Sequence, residues 1–463
     1  MSLRSGLETL RRALAGSEED FTTGPIGRAV FLLSIPMVLE MAMESVFAVV
    51  DVFFVSRLGA EAVAVVGITE SILTLVYAVA LGLSMATTAM VSRRIGEKDA
   101  ESAAVAAVQT VVLGVGVSVL IGVPGWLFAD ELLRLMGVSE ATVALGAGYS
   151  AVILGGSATV LLLFLINAVF RGAGDAAVAM RALWIGNAIN IVLDPCLIFG
   201  LGPFPEMGLT GAAVATVIGR GLGVVYQLFM LTRGRGRVRV ERRHLRLAPR
   251  VLLRLLSLSL GGMFQYLVAT GSWLALMRIV SLFGSAAVAG YTIALRIIVF
   301  SILPSWGMSN AAATLVGQNL GAGQPDRAAA SAWRTGLYNM VFLIGVAVVF
   351  LAVPERLVSF FTSDPEVLRF GSQCLRIISY GYAFYAWGMV MVQAFNGAGD
   401  TTTPTLINLF CYWVLQLPLA WVLALHTELG ATGVLWAIPA AEAVLTVAGI
   451  LAFRRGTWRT RVV

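Results

Sequence analysis

The chain carries acids where acids are costly. Glu40, Glu44 and Asp51 interrupt an otherwise apolar run near residues 29–55, and their i, i+4, i+11 spacing places them within ~40° of one another on one helical stripe. A second apolar run carries Asn187, Asn190 and Asp194, again on one face, and a third adds Glu70. A carboxylate at mid-bilayer costs about 2.5 to 3.5 kcal/mol on insertion scales, so such a stripe must turn away from lipid. Two carboxylates in a partly dehydrated pocket favour a proton or a cation held between them. The chemistry these residues suit is therefore reversible binding of H+ or Na+.

The rest of the chain says which elements must hold them. Of 463 residues, 58% are apolar and 13% charged, roughly half the ~25% charge of soluble domains. Charge-free stretches run over 102–129, 141–170, 335–354 and 401–427, each matching or exceeding the ~20 residues that cross a bilayer. Twelve apolar spans are expected, near 29–55, 62–86, 104–128, 142–168, 177–201 and 208–231, then 255–280, 285–312, 335–353, 371–396, 402–425 and 430–453. Helices are their expected form because hydrocarbon offers backbone groups no water. The fold class is thus an all-α integral membrane protein. Leu3, Leu7, Leu10 and Leu14 recur at helical spacing, as in a short amphipathic helix on the membrane surface.

Counting Lys and Arg in the connections, with both termini on one side, gives 22 on the terminal side. These include eight from Arg233 to Arg250 and four after residue 453; Arg57, Arg134, Arg356 and Arg369 are the four on the other side. Both termini are therefore expected in the cytoplasm, beneath the inner membrane. The divisions are a leading segment 1–28, a first lobe 29–231, a basic linker 232–254, a second lobe 255–453 and a tail 454–463. Basic residues that mark topology argue for no nucleic-acid partner. Cys196, Cys374 and Cys411 fall in apolar runs and read as small core residues.

The two halves repeat. Gly82 and Ser84 recur as Gly307 and Ser309, Val91 and Gly96 as Val316 and Gly321, and Gly172-Ala173-Gly174-Asp175 as Gly397-Ala398-Gly399-Asp400, all shifted by 225. Units of six spans begin on the same side of the membrane, so the halves are expected as parallel lobes about a central cleft. The acids do not repeat: Leu276, Leu295 and Leu417 stand where Asp51, Glu70 and Asp194 have counterparts. A purely structural polar contact belongs in both copies, and that asymmetry marks the first lobe as the ion-binding one. The second half instead offers Gln265, Tyr266, Arg296, Asn310, Tyr380, Tyr385, Gln393, Asn396 and Glu442, candidates to line a binding cavity. Pro36 lies on the same helix as the acids and permits a bend. The Gly-Ala-Gly-Asp segments read as helix stops, since no strand or nucleotide fingerprint accompanies them.

The six-span duplication, Ile35-Pro36, Val50-Asp51 and the paired Gly-Ala-Gly-Asp loops together resemble multidrug and toxic compound extrusion (MATE) transporters over nearly the whole chain. The run Asn190-Ile191-Val192-Leu193-Asp194-Pro195 is similar to the DinF-like branch. The resemblance implies that Asp51, Asn190 and Asp194 bind H+ or Na+, that Thr216 assists, and that Pro36 bends the first span. Norfloxacin-exporter relatives place acids in helices seven and ten, where this chain has Ala269 and Tyr385. Glu40, Glu44, Glu70 and Asn187 are expected as polar cavity residues on helical geometry alone. The expected function is secondary active export of small amphipathic compounds, cationic or aromatic, by a monomer among membrane lipids, with no cofactor beside the coupling ion. Two rivals stand. A lipid-linked saccharide flippase calls for a cluster of intramembrane arginines lining the first lobe, and the sequence shows no such cluster there. A membrane-embedded enzyme is disfavoured because His244 and His426 both sit in connections and no metal-ligand or Ser-His pairing falls within the spans.

Overall fold

The computed structural model describes residues 3–16, 19–234, 236–461 and 463, with no strand among them. The first half comprises α1 (Leu3–Ala15), α2 (Ile26–Ser56), α3 (Ala60–Gly96), α4 (Ala100–Leu127), α5 (Ala129–Leu135), α6 (Glu140–Gly155), α7 (Ser157–Ala173), α8 (Ala176–Phe199) and α9 (Leu209–Arg233). The second comprises α10 (Pro249–Val280), α11 (Ser285–Gly321), α12 (Pro325–Ala352), α13 (Pro354–Ser359), α14 (Pro365–Ser379), α15 (Tyr382–Gly397), α16 (Thr402–Leu409), α17 (Leu417–Leu425) and α18 (Ala431–Arg455). Ten helices among the described residues are long and apolar enough to cross a membrane. The acid-bearing α2 and the pair α14–α15, interrupted at Tyr380-Gly381, are not among those ten.

The duplication is visible helix by helix. Ala60–Gly96 maps onto Ser285–Gly321, and Ala100–Leu127 onto Pro325–Ala352, every boundary shifted by 225. The repeat breaks at α8, whose counterpart is divided into α16 and α17 by a π-helical turn over Phe410–Gln416. Both Gly-Ala-Gly-Asp segments stop helices. Gly174 and Gly399 take φ of +89° and +82°, a left-handed conformation that costs other residues energy.

The halves pack crosswise, α2 against α11 and α10 against α3. Where the C-terminal ends of α3 and α11 meet, a Cβ on Gly96 would strike the Gln318 carbonyl and one on Gly321 the Arg93 carbonyl. These repeat-related glycines let two backbones touch and shut that end. The segment after α18 braces it: Trp458 stacks on Phe453 at 4.4 Å, while Arg93 and Arg94 of α3 donate to the carbonyls of Arg461 and Val463.

Helix α1 forms as the leucine spacing predicts. It docks through buried Ala13 and through Arg181, which donates to the carbonyls of Leu14 and Ala15. Leu10 and Leu14 are exposed, and the side chains of Leu3 and Leu7 lie outside the described residues. The basic linker, of which Arg235 is outside the description, is clasped by Gln109 of α4, which bonds the Arg246 carbonyl at 2.8 Å and the Ala248 N–H at 3.0 Å. His244 lies there, as expected, 3.0 Å from Glu101.

Candidate functional site

The polar stripe of α2 resolves into three separate arrangements. Innermost is Glu40, 1% exposed, whose Oε1 accepts from Asn167 Nδ2 at 2.9 Å and from Arg171 Nη1 at 3.2 Å. Asn167 in turn accepts from Gln227 Nε2 at 2.5 Å. One turn outward, Glu44 accepts from Asn187 at 3.2 Å and pairs with Arg220 at 3.4 Å. Arg220 also donates to Tyr77 Oη at 3.3 Å and lies over the Phe47 ring.

Outermost is the group that the sequence pairs by depth. Asn190 Nδ2 donates to Asp194 Oδ1 at 3.3 Å and to Thr216 Oγ1 at 3.1 Å, one turn of α8 bonded to α9. Asn190 Oδ1 and Asp194 Oδ2 are buried acceptors with no hydrogen-bond partner among the described residues. Asp51 lies within electrostatic range of Asp194, Glu70 and Arg220, and buried Tyr149 faces the same charges. No cation pairs with Asp51 or Asp194 within salt-bridge distance among the described residues, in contrast to Glu40 and Glu44. Two carboxylates, an amide oxygen and a hydroxyl make a set of hard oxygen donors, with two orphaned acceptors that a proton or an alkali cation would satisfy.

The first lobe does hold two buried arginines, each in its own ion pair. Arg171 and Arg220 are both 7% exposed within it. Each has a glutamate partner, because an arginine that never loses its charge is buried at tolerable cost only beside an anion. The signal was present in the sequence. Thr216, Arg220, Gly223 and Gln227 recur at helical spacing on α9 and all four are buried, the face that receives the α2 acids.

The second-half residues divide. Asn310, Gln393 and Asn396 line a cavity between the lobes, and Gln265 is bonded to Asn396 at 3.0 Å. Glu442 instead accepts from Tyr412 at 3.0 Å within its own lobe. Pro36 is buried inside the continuous helix α2. The next turn touches the other lobe, since a Cβ on Gly307 would strike the Met37 carbonyl.

Two parallel helical lobes, a cavity between them and a pair of acids without a salt-bridge partner in the first lobe define a membrane transporter. The MatE family model matches residues 36–196 and again 263–422, one match in each half, and the chain belongs to that family. It is similar to a probable multidrug resistance protein NorM of Thermotoga maritima, 28% identical over 95% of this chain and 94% of the relative. It is also similar to an FAD transporter of Shewanella oneidensis, 27% identical over 92% and 94%. Among solved structures, one described as the outward-facing conformation of a multidrug resistance MATE family transporter superposes with a TM-score of 0.89, at 26% identity over 95% of this chain and 98% of that one. The chain is a multi-pass membrane transporter and not an enzyme.

Proposed function

We propose that this chain is a secondary active exporter of the DinF-like branch. Inward movement of H+ or Na+ through Asp51, Asn190, Asp194 and Thr216 drives outward release of small amphipathic organic compounds. The observation that carries the proposal is the pair of buried, unpartnered acceptors on Asn190 and Asp194, set in range of a second carboxylate, where the repeat-related positions of the other lobe hold Leu276 and Leu417 in place of Asp51 and Asp194. Pro36 supplies the hinge. Its ring leaves the Leu32 carbonyl without its helical N–H partner, so α2 is softened between its lobe contact and its ion site. Cation binding at Asp51 must then favour one shape of α2 over another, since a ligand shifts an equilibrium only by its differential affinity.

The relatives' names span multidrug resistance and FAD transport, which supports organic substrates and fixes no single one. The test is substrate efflux from proteoliposomes under separately imposed H+ and Na+ gradients. Efflux is expected under one of them, and efflux that ignores both gradients would remove the coupling proposal.

In the same proposal twelve helices cross the inner membrane of the cell, six in each of the lobes 29–231 and 255–453, around a monomeric unit. The segment 1–28, the linker 232–254 and the tail 454–463 are cytoplasmic. Single cysteines placed along 242–248 should stay unlabelled by an impermeant thiol reagent in intact cells and become labelled after permeabilisation. Labelling from outside would mean an inverted topology.

A further inference from the structure

The cavity between the lobes selects one kind of head group. It lies where α2, α3 and α7 meet α11 and α15, and its open space of about 40 Å³ suits a head of a few heavy atoms, not a ring system. Its one charged wall residue is Arg171. Of that guanidinium only Nη1 is engaged, by Glu40, whose own carboxylate sits behind it and does not line the space.

The other polar groups on the wall have been sorted by the fold into donors and spent groups. Ser84 and Thr88 give their hydroxyl protons to the carbonyls of Phe164 and Ala168. Gln393 donates to Asn310 Oδ1 and accepts from Asn396, and Asn396 and Gln265 bond one another, so each amide oxygen already accepts one bond within the network. No described partner takes the Asn310 amide N–H, the Trp306 indole N–H or the rest of the Arg171 fork. The donors left for a guest are therefore N–H groups, one of them cationic, and the acceptors left beside them are neutral lone pairs on the Ser84 and Thr88 hydroxyls and the amide oxygens. Phe164 and Trp306 add aromatic surface.

Building on the export reading, we propose that this pocket recognises the carboxylate of an aromatic substrate. The carboxylate is held by Arg171, Asn310 and Trp306, while its ring lies in the cleft beyond. An ammonium head finds no carboxylate on the wall, only neutral acceptors, and meets the guanidinium. The paired acids of α2 thus do not select organic cations: Glu40 is turned behind Arg171 and Glu44 is bound to Arg220.

The purified full chain is titrated calorimetrically in detergent with naphthylacetate and naphthylmethylammonium, a matched pair differing in head charge. The carboxylate should bind about tenfold more tightly, the scale of one charge-assisted hydrogen bond. Asn310→Asp keeps the acceptor that Gln393 uses, so the fold is preserved, yet it places an anion on the wall and should erase or invert the ratio. Trp306→Phe keeps the ring, loses the N–H and should weaken only the carboxylate. Tighter or equal binding of the ammonium by the unaltered protein, or a ratio that Asn310→Asp leaves unchanged, overturns the proposal. Because no gradient is imposed, the expected ratio in a protein that fails to export would bear out this pocket and overturn the export reading alone.

Discussion

Asp194→Asn is expected to lower gradient-driven efflux by roughly 100-fold, near the upper end of ordinary coupling free energies. The folded protein should still insert and purify like the unaltered one. Asparagine keeps the size of the side chain and an acceptor for Asn190, which donates to Asp194 at 3.3 Å. It cannot alternate between a charged and a neutralised form, and that alternation is what couples the ion to the cleft. Folding is spared because no cation loses its partner. Asp51→Asn should behave alike, since in the proposed mechanism the two carboxylates bind the ion as one pair. Proteoliposomes with matched protein content measure both variants, and normal gradient-driven efflux in both would refute the ion site.

Glu40→Leu should do the opposite, damaging the fold before the function. It strips Arg171 of its buried counter-ion and Asn167 of its acceptor, a loss of about 3 to 5 kcal/mol for one broken buried pair. The melting temperature in detergent should fall sharply. Adding Arg171→Leu should recover much of it, because a buried ion pair replaced by apolar residues of similar volume is often neutral or stabilising. A single Glu40→Leu variant that melts with the unaltered protein would show that the pair adds nothing to the fold. The two experiments separate acids that look alike in the sequence. Asp51 and Asp194 are without a salt-bridge partner, whereas Glu40 and Glu44 are matched one-to-one by arginines.

Much of this architecture is legible in one dimension. Span positions follow from apolar length alone, since a bilayer imposes helices on any long charge-free run. The duplication follows from identities at a constant shift, and the boundaries of α3 and α4 keep that shift in α11 and α12. The stripe on α2 and the face of α8 follow from 3.6-residue periodicity. The match of Asp194 with Leu417 is equally readable, and it places the lone acids in the first lobe.

What only the packed molecule decided is which polar group meets which. Arg171 reads as a connection residue, near a helix stop and counted as a topology signal, yet the lean of α7 carries it back to Glu40 in the interior. Arg220 stands on α9 some 176 residues from Glu44, and no local pattern links them. The donor character of the central cavity is likewise invisible in the sequence. Asn310, Gln393, Asn396 and Gln265 each own both donors and acceptors, and only their mutual hydrogen bonds decide which of these groups stay unengaged. Periodicity fixes the face of a helix on which a group stands. Pairing depends on how helices distant in the chain lie against one another, and burial makes each polar group on those faces find its partner there.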